Sequence, residues 1–298
     1  MELVDNFSKK KRSIESNLKS RFFKIQESRL RGAFSDPIIS TSVTFIVLTI
    51  IIVFLTIPYF KDDPTEYFRS ILIEAHGMLF DVAIIGILLY WLNKRGEKRI
   101  RINRYREEIE DIRLWKSEEA NFKILGNIKR LLRENVRKLD LHQCYLKNVN
   151  LSGAELYESN LNSADLSFSI LSETDFSDGK LNYLNLEGAT LNKTNFQGAS
   201  LNAACLISVR GIKTNFKNGL LIKADFGKAF LMEPDFSGSD LSGANFEAAN
   251  LYMANFTGTT GLSAEQFQNI KHLNRPIMDE NLYKEILEQC PNLTIRVS

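Results

Sequence analysis

The sequence has few of the side chains that most often carry chemistry. Among its 298 residues are three histidines and three cysteines, and they do not stand at metal-binding spacings. The glycine- and serine-centred motifs of nucleotide-binding proteins and hydrolases are also missing. We therefore predict that the protein is not an enzyme, that it has no catalytic residue, metal site or cofactor, and that its thiols stay free in a reducing compartment.

Charge is missing altogether from Ile38 to Phe60. This run is long enough to cross a membrane, because about 20 apolar residues span a hydrocarbon core ~30 Å thick. It starts too late and is too long for a signal peptide, and it is apolar all round, unlike a core helix. A second apolar run covers positions 71–92, and only the short stretch 61–69 connects the two. We predict an antiparallel two-helix transmembrane hairpin within residues 37–92.

Basic residues precede the first predicted helix of this hairpin and follow the second. Those before it are Lys19, Arg21, Lys24, Arg29 and Arg31, and those after it are Lys94, Arg95, Lys98, Arg99 and Arg101. The positive-inside rule therefore predicts a multi-pass protein of the bacterial inner (plasma) membrane with both termini in the cytoplasm, and Tyr59, Tyr90 and Trp91 at the interfaces. Residues 1–36 form a basic cytoplasmic segment, whose run Lys9–Arg12 either touches anionic headgroups or forms a solvated helix face.

Three polar residues fall inside the predicted hairpin: Thr49, Glu74 and Asp81. Thr49 is the midpoint of the first run and Asp81 lies near the middle of the second, so antiparallel helices would bring them to the same depth. A carboxylate at the bilayer centre costs at least ~2.5–3.5 kcal/mol and should face protein or water. Either a protonated Asp81 bonds to Thr49 and joins the helices, or Asp81 from several copies lines a cation pathway with Glu74 nearer its mouth.

Residues 93–138 read as a basic helical linker that also covers the end of the following domain. Ser117, followed by two glutamates, predicts a helix start, and Ile124, Ile128 and Leu131 would share one face of that helix.

From residue 141 to residue 256 a large apolar residue recurs at every fifth position. All of these positions are Leu or Phe except Gly211. The residue two positions earlier is often Ala, and the residue between them is often Asp or Asn. Neither an α-helix nor a plain strand keeps this period. We interpret each unit as a very short strand, with the small and the large residue inward, followed by a turn.

The phenylalanines of the repeat indicate how many units make one coil. A run of them recurs at every fourth unit: Phe176, Phe196, Phe216, Phe236 and Phe256. Four units per coil would stack them in one column, where side chains of like size pack well. The repeat would then form about six coils with ~4.8 Å between neighbouring strands.

The pattern A(D/N)Lxx resembles the pentapeptide-repeat family over residues 139–260. The resemblance implies a right-handed quadrilateral β-helix, a β-solenoid. Three departures predict local irregularities: Gly211, whose lost volume Val209 or Ile212 would replace; Leu184 at a small site; and Pro234, expected to remove one ladder donor. Residues 261–298 are predicted as a helical C-terminal cap, with helices starting at Ser263 and covering 279–289.

Several large apolar residues fall at outward positions of the repeat. We predict an interface formed by Ile207, Ile212, Phe230, Met232 and Tyr252, although the C-terminal segment could instead cover them.

The pattern favours a membrane-tethered interaction scaffold, with membrane lipid on one side and a second copy or another protein on the solenoid. The alternative is an oligomeric membrane effector or ion-conducting protein of a stress or antiphage type, with the solenoid as sensor or assembly platform. DNA mimicry, which the resemblance also implies for some soluble members, and nucleic acid as a partner are disfavoured. Acidic side chains only mildly outnumber basic ones between residues 139 and 260.

Overall fold

The computed structural model describes residues 46–47, 49–51, 53–54 and 66–290, with the backbone alone at 66–72. The chain divides into two compact units, Met1–Arg99 and Ile100–Ser298. The predicted basic segment 1–36, most of the first predicted transmembrane helix and the stretch 291–298 lie outside the described residues.

The longest element is helix α1, Glu66–Ile112, of 47 residues. It contains, within 73–112, the one helix of the described residues that is long and apolar enough to cross a membrane, and its apolar part is exposed. The described positions between 46 and 54 are helical as well. The connection predicted at 61–69 is too long, because Glu66 already lies in α1. The predicted boundary after residue 92 is also not a helix end, since α1 continues without a break to Ile112.

Helix α2, Glu118–Arg133, begins where the sequence predicted. The Ser117 side chain accepts a hydrogen bond from the Ala120 N–H at 3.2 Å, which caps the helix. Ile124, Ile128 and Leu131 are fully buried and belong to the same apolar core as Leu139 and Leu141 of the first coil. This face of α2 therefore excludes water from the open end of the solenoid.

Parallel pairing between each unit and the fourth unit after it builds the solenoid, as in Asp165↔Asn185 and Asp175↔Asn195. This spacing confirms four repeats per coil. Within a typical unit, the Leu166 N–H donates to Asn185 O at 2.7 Å in the next coil. The Asp165 N–H donates to Cys144 O at 2.9 Å in the previous coil, and the Ser169 N–H closes the turn on Leu166 O at 3.2 Å.

Regular strands are confined to one side of the solenoid. They are β1 Arg210–Ile212, β2 Phe230–Met232, β3 Asn250–Tyr252 and β4 His272–Asn274, paired in parallel in that order. Elsewhere in the described repeats, a unit contributes only an isolated bridge, because a turn follows almost at once.

Aromatic rings fill the C-terminal half of the core. In the column predicted from the sequence, successive rings stack with centroids 5.0–5.4 Å apart. A second column contains Phe226, Phe246 and Phe267, and its rings meet those of the first column edge to face. Most of these phenylalanines thus contact rings in their own column and in the column beside it.

The C-terminal cap is not purely helical, which corrects the prediction for residues 261–298. A 3-10 helix, Ala264–Phe267, is followed by β4 and by helix α3, Glu280–Gln289. The helix over 279–289 is confirmed. Strand β4 pairs with β3 through Asn250↔His272, two positions later than the regular register, because the short helix lengthens this coil. Phe267 and Leu273 continue two inward columns, and the core therefore extends beyond the end of the five-residue register.

At Gly211 one of the two expected replacements is found, whereas at Pro234 the expectation is wrong. Val209 is buried beside Gly211, but Ile212 is exposed and does not turn inward. Pro234 occupies the position whose N–H, in regular units, closes a turn rather than joining two coils. It therefore removes no ladder donor, and its carbonyl accepts from the Asn255 N–H at 2.9 Å. Leu184 is fully buried at its small site, as the sequence indicated.

Candidate functional site

The outward Asp and Asn residues of the repeat are engaged in structural hydrogen bonds. Asp165 Oδ1 accepts from the Ser167 N–H at 3.0 Å, which caps the turn, and from Asn185 Nδ2 at 3.1 Å in the next coil. Asp175 repeats both contacts with Ser177 and Asn195. These side chains hold turns and coils in register, which explains their recurrence from one coil to the next.

A different side of the solenoid gathers apolar residues on its surface. We call it the strand face: the outward side chains of β1–β4 together with Ile170 and Thr190, which pair with them in the same column. Ile212 pairs with Met232, and Met232 with Tyr252, so these three form a continuous column. Ile212 is 45% exposed, and Met232 and Tyr252 are half-buried.

The second outward column of the strand face contains both apolar and polar residues. Phe230, 46% exposed, pairs with Arg210, which in turn pairs with Thr190. At the corner beside the first column, Lys193 Nζ lies 2.9 Å from Glu173, and Lys213 Nζ lies 3.5 Å from Glu233. These exposed pairs add little stability, but they neutralise the rim of the apolar strip.

The structure brings together four of the five predicted interface residues. Ile207 lies instead in the turn before β1, between Glu187 and Gly227 of the neighbouring coils. The sequence distinguishes outward positions from inward ones but does not show on which side of the coil each outward position lies. The alternative was that the C-terminal segment covers this surface. Its described part, which ends at residue 290, leaves Ile212 and Phe230 exposed.

Sequence reasoning missed one exposed aromatic residue next to this surface. Phe168 occupies a turn with φ +60° and is about half exposed. Its ring lies 5.1 Å from Lys147 Nζ and over Gly188, where an added Cβ would come within 2.7 Å of the ring. The sequence feature that could have identified Phe168 is an aromatic residue at the last position of a repeat, where Gly is frequent.

The polar residues of the predicted hairpin lie in the first unit. Glu74 and Asp81 are both exposed on α1, two helical turns apart and so on one side of the helix. Thr49 is helical and half-buried. The common depth of Thr49 and Asp81 stays a prediction.

The cysteines do not form a reactive site. Cys144 is fully buried, and this burial raises the pKa of its thiol to about 12. Burial also raises the pKa of Cys205 and of Cys290. Within the described ranges, no group of three His, Cys, Asp or Glu side chains is placed to hold a metal ion.

Coils of four five-residue repeats with inward Leu and Phe define a quadrilateral β-solenoid. The family described as pentapeptide repeats matches residues 140–178, 169–206 and 221–260, in eight copies. These residues of the chain therefore match that family and fold as a solenoid of five-residue repeats. The stretch that the match leaves out, 207–220, contains Gly211.

Solved structures of pentapeptide-repeat proteins resemble the chain. HetL of Nostoc sp. strain PCC 7120, described as involved in heterocyst differentiation regulation, is 26% identical and has a TM-score of 0.23; the match covers 45% of this chain and 68% of HetL. Rfr23 of Cyanothece 51142 is 20% identical with a TM-score of 0.31, covering 53% of this chain and 97% of Rfr23. A protein of the Arabidopsis thaliana thylakoid lumen is 27% identical with a TM-score of 0.22, covering 35% and 70%. Among curated proteins, no sequence matches this chain.

Proposed function

We propose that the protein is a membrane-tethered scaffold without catalytic activity of its own, whose solenoid binds a second copy of the chain through the strand face. The N-terminal hairpin would fix the solenoid at the cytoplasmic side of the inner membrane. The observation that carries the proposal is the exposed apolar strip on the strand face. Contiguous apolar surface on a water-facing domain is a common mark of an interaction site.

The tether is supported by the character of α1. Between residues 73 and 92 most of its large apolar side chains are exposed, and the half-buried ones, Leu79 and Tyr90, lie on one side of the helix. Such apolar exposure suits a helix in lipid. At the end of this stretch, Lys94 Nζ lies 5.5 Å from the Tyr90 ring and the Arg95 guanidinium 5.0 Å from the Trp91 ring. Aromatic rings beside cations are typical of the cytoplasmic membrane interface.

A second copy is favoured as the partner because the strip is complementary to itself. A two-fold axis through Met232 and parallel to the strands would place Ile212 of one copy against Tyr252 of the other. The ion pairs at the corner, Glu173–Lys193 and Lys213–Glu233, neutralise the four charges that lie beside Ile212 and Met232.

The test is the oligomeric state of the full-length protein in detergent, measured by light scattering. Phe230→Asp combined with Met232→Asp should convert the oligomer to a monomer, because two buried, unpaired carboxylates would oppose the contact. Leu220→Asp is the matched control. Leu220 is 45% exposed, close to the 46% of Phe230, but lies on another side of the coil.

An oligomer that survives the double substitution would contradict self-association through the strand face. The wild-type protein could instead be monomeric and bind a different protein, and the double substitution could abolish that binding. This result would support the scaffold function but show that the partner is not a second copy. Loss of the oligomer in Leu220→Asp as well would indicate general damage to the solenoid.

One observation favours the alternative, an oligomeric ion-conducting effector. Glu74 and Asp81 are exposed acidic residues on one side of a mainly apolar stretch of helix. In a bilayer they must face water or other helices, and a bundle of copies could line a cation pathway with them.

Asp81→Asn separates the alternative from the scaffold. The substitution keeps the size and most of the hydrogen bonding but removes the charge. If the protein conducts, cation flux into liposomes should fall at least about tenfold while assembly is retained, because a ring of carboxylates no longer concentrates cations. Flux that is absent in the wild type, or unchanged in the variant, counts against the pathway and leaves Asp81 as a contact between helices.

A further inference from the structure

A cavity of about 360 Å³ lies in the second unit, where the end of α1 meets the first coil of the solenoid. Its walls come from residues 106–113, from Leu131 of α2 and from residues 138–141. This volume is at the lower end of the range found for small-molecule sites. No residue of the strand face lines the cavity.

The charges that line the cavity favour an anion. Three cationic side chains, Arg106, Arg113 and Lys138, stand against two carboxylates, Glu110 and Asp140. Both carboxylates are already engaged, Glu110 in an ion pair with Arg113 and Asp140 with the His142 ring at 2.7 Å. Lys138 is engaged as well, in an ion pair with Glu158, which leaves Arg106 as the cation that an anion would meet first. In the part of the chain that the structure describes, Arg106 has neither an ion pair nor a hydrogen bond.

Arg113 supplies an independent sign of a missing partner. It is only 5% exposed, and its two terminal nitrogens contact Glu110 and His142. Its Nε, which is also buried, has no hydrogen-bond acceptor. Leaving a buried donor of a charged group unpaired is costly, and an anionic oxygen in the cavity would remove that cost.

The rest of the wall is apolar. Ile109, Leu139 and Leu141 are buried and line the same space, which suits an organic body better than a hydrated inorganic ion. A phosphate group offers enough acceptor oxygens for two guanidinium groups at once. We propose that the cavity binds a small organic molecule through its phosphate group, held by Arg106 and Arg113, with the apolar part against Ile109 and the leucines.

Binding at this place would stabilise the helical cap on the solenoid. The cavity is formed jointly by α1, α2 and the first coil, so it exists only while the cap is docked. A ligand that binds only this docked state raises its stability by mass action. The phosphate could belong to a soluble ester or to a phospholipid headgroup, since the chemistry at the arginines is the same.

The test uses the full-length protein in detergent and two probes, adenosine 5′-monophosphate and phosphatidic acid in the micelles. Binding is measured by titration, with thermal unfolding as a second readout. Arg106→Gln should weaken binding of at least one probe about tenfold, because it removes a charge-assisted contact. Arg106 is exposed, so this variant should fold normally. Arg104→Gln, an exposed position of α1 that does not line the cavity, is the control and should bind like the wild type.

If adenosine 5′-monophosphate binds saturably and Arg106→Gln weakens this binding, the site is assigned to soluble phosphate esters. The same pattern with phosphatidic acid alone assigns it to a lipid headgroup. If neither probe binds saturably, or if Arg104→Gln weakens binding as much as Arg106→Gln does, the proposed site is overturned.

Discussion

Gly211 is the residue at which the repeat and the packing disagree. Every other position of its column has Leu, so a leucine would restore the sequence pattern. The space is nevertheless filled: an added Cβ would overlap the Thr214 hydroxyl and come within 3.1 Å of Leu191 O and of Leu231 Cδ2. Neighbouring side chains have thus closed over the glycine, and the core at this level has no room for the residue that the pattern calls for.

We therefore predict that Gly211→Ala destabilises the solenoid by about 1–3 kcal/mol, although it moves the sequence toward the repeat pattern. The main obstacle is Thr214, whose hydroxyl donates to Leu191 O at 2.8 Å. Combining Gly211→Ala with Thr214→Ala should cost at least about 0.5 kcal/mol less than the two single changes together. The measurement is thermal unfolding, followed by the β signal in circular dichroism.

Thr174→Ala provides the control for this cycle. Thr174 makes the same contact as Thr214, to Leu151 O at 2.8 Å, but two coils away. Its effect should simply add to that of Gly211→Ala. Additive behaviour at Thr214 as well, or stabilisation by Gly211→Ala alone, would show that the glycine leaves unfilled space.

The repeated unit is where the sequence predicted most. A period of five fixes which residues face inward, and the regular recurrence of the phenylalanines fixes the size of the coil; both are local properties of the pattern. The side on which Ile207 lies and the packing around Gly211 depend on neighbours in the adjacent coils, which single positions do not reveal. Strand β4 in the C-terminal cap was missed for a similar reason, because it pairs with β3 two positions later than the regular register.

Inward and outward positions of one unit should differ sharply in their tolerance of substitution. Leu201 is fully buried, so Leu201→Asp places an unpaired charge in the core and should unfold several coils. Asp225→Ser should lower the free energy of unfolding by about 1–3 kcal/mol. It removes at most the two hydrogen bonds that the carboxylate accepts at 2.9 Å, from the Gly227 N–H and from Asn245 Nδ2. Limited proteolysis and thermal unfolding of the full chain measure both.

Leu201→Ala distinguishes the effect of charge from that of lost volume. It should cost about 2–5 kcal/mol and leave the coils folded. Equal sensitivity to protease in Leu201→Asp and Asp225→Ser would contradict the assignment of inward and outward positions.

For the whole molecule, the placement of basic residues predicts how the chain crosses the membrane. Basic residues are dense before residue 38 and after residue 92, whereas the sequence between the two apolar runs has only Lys61 and Arg69. Such asymmetry keeps the basic ends in the cytoplasm. The solenoid would then be cytoplasmic, where its thiols stay reduced.

Cysteine labelling tests this topology in a background with Cys205→Ser and Cys290→Ser. Cys144 can remain, because it is fully buried and its pKa of about 12 leaves almost no thiolate at neutral pH. A cysteine introduced by Asp63→Cys should react with a membrane-impermeant maleimide in intact cells. Cysteines introduced by Ser8→Cys or by Ser298→Cys should react only after lysis. The background protein should stay unlabelled in both conditions, and labelling of the two ends in intact cells would place the solenoid outside the cytoplasm and reject the proposed orientation.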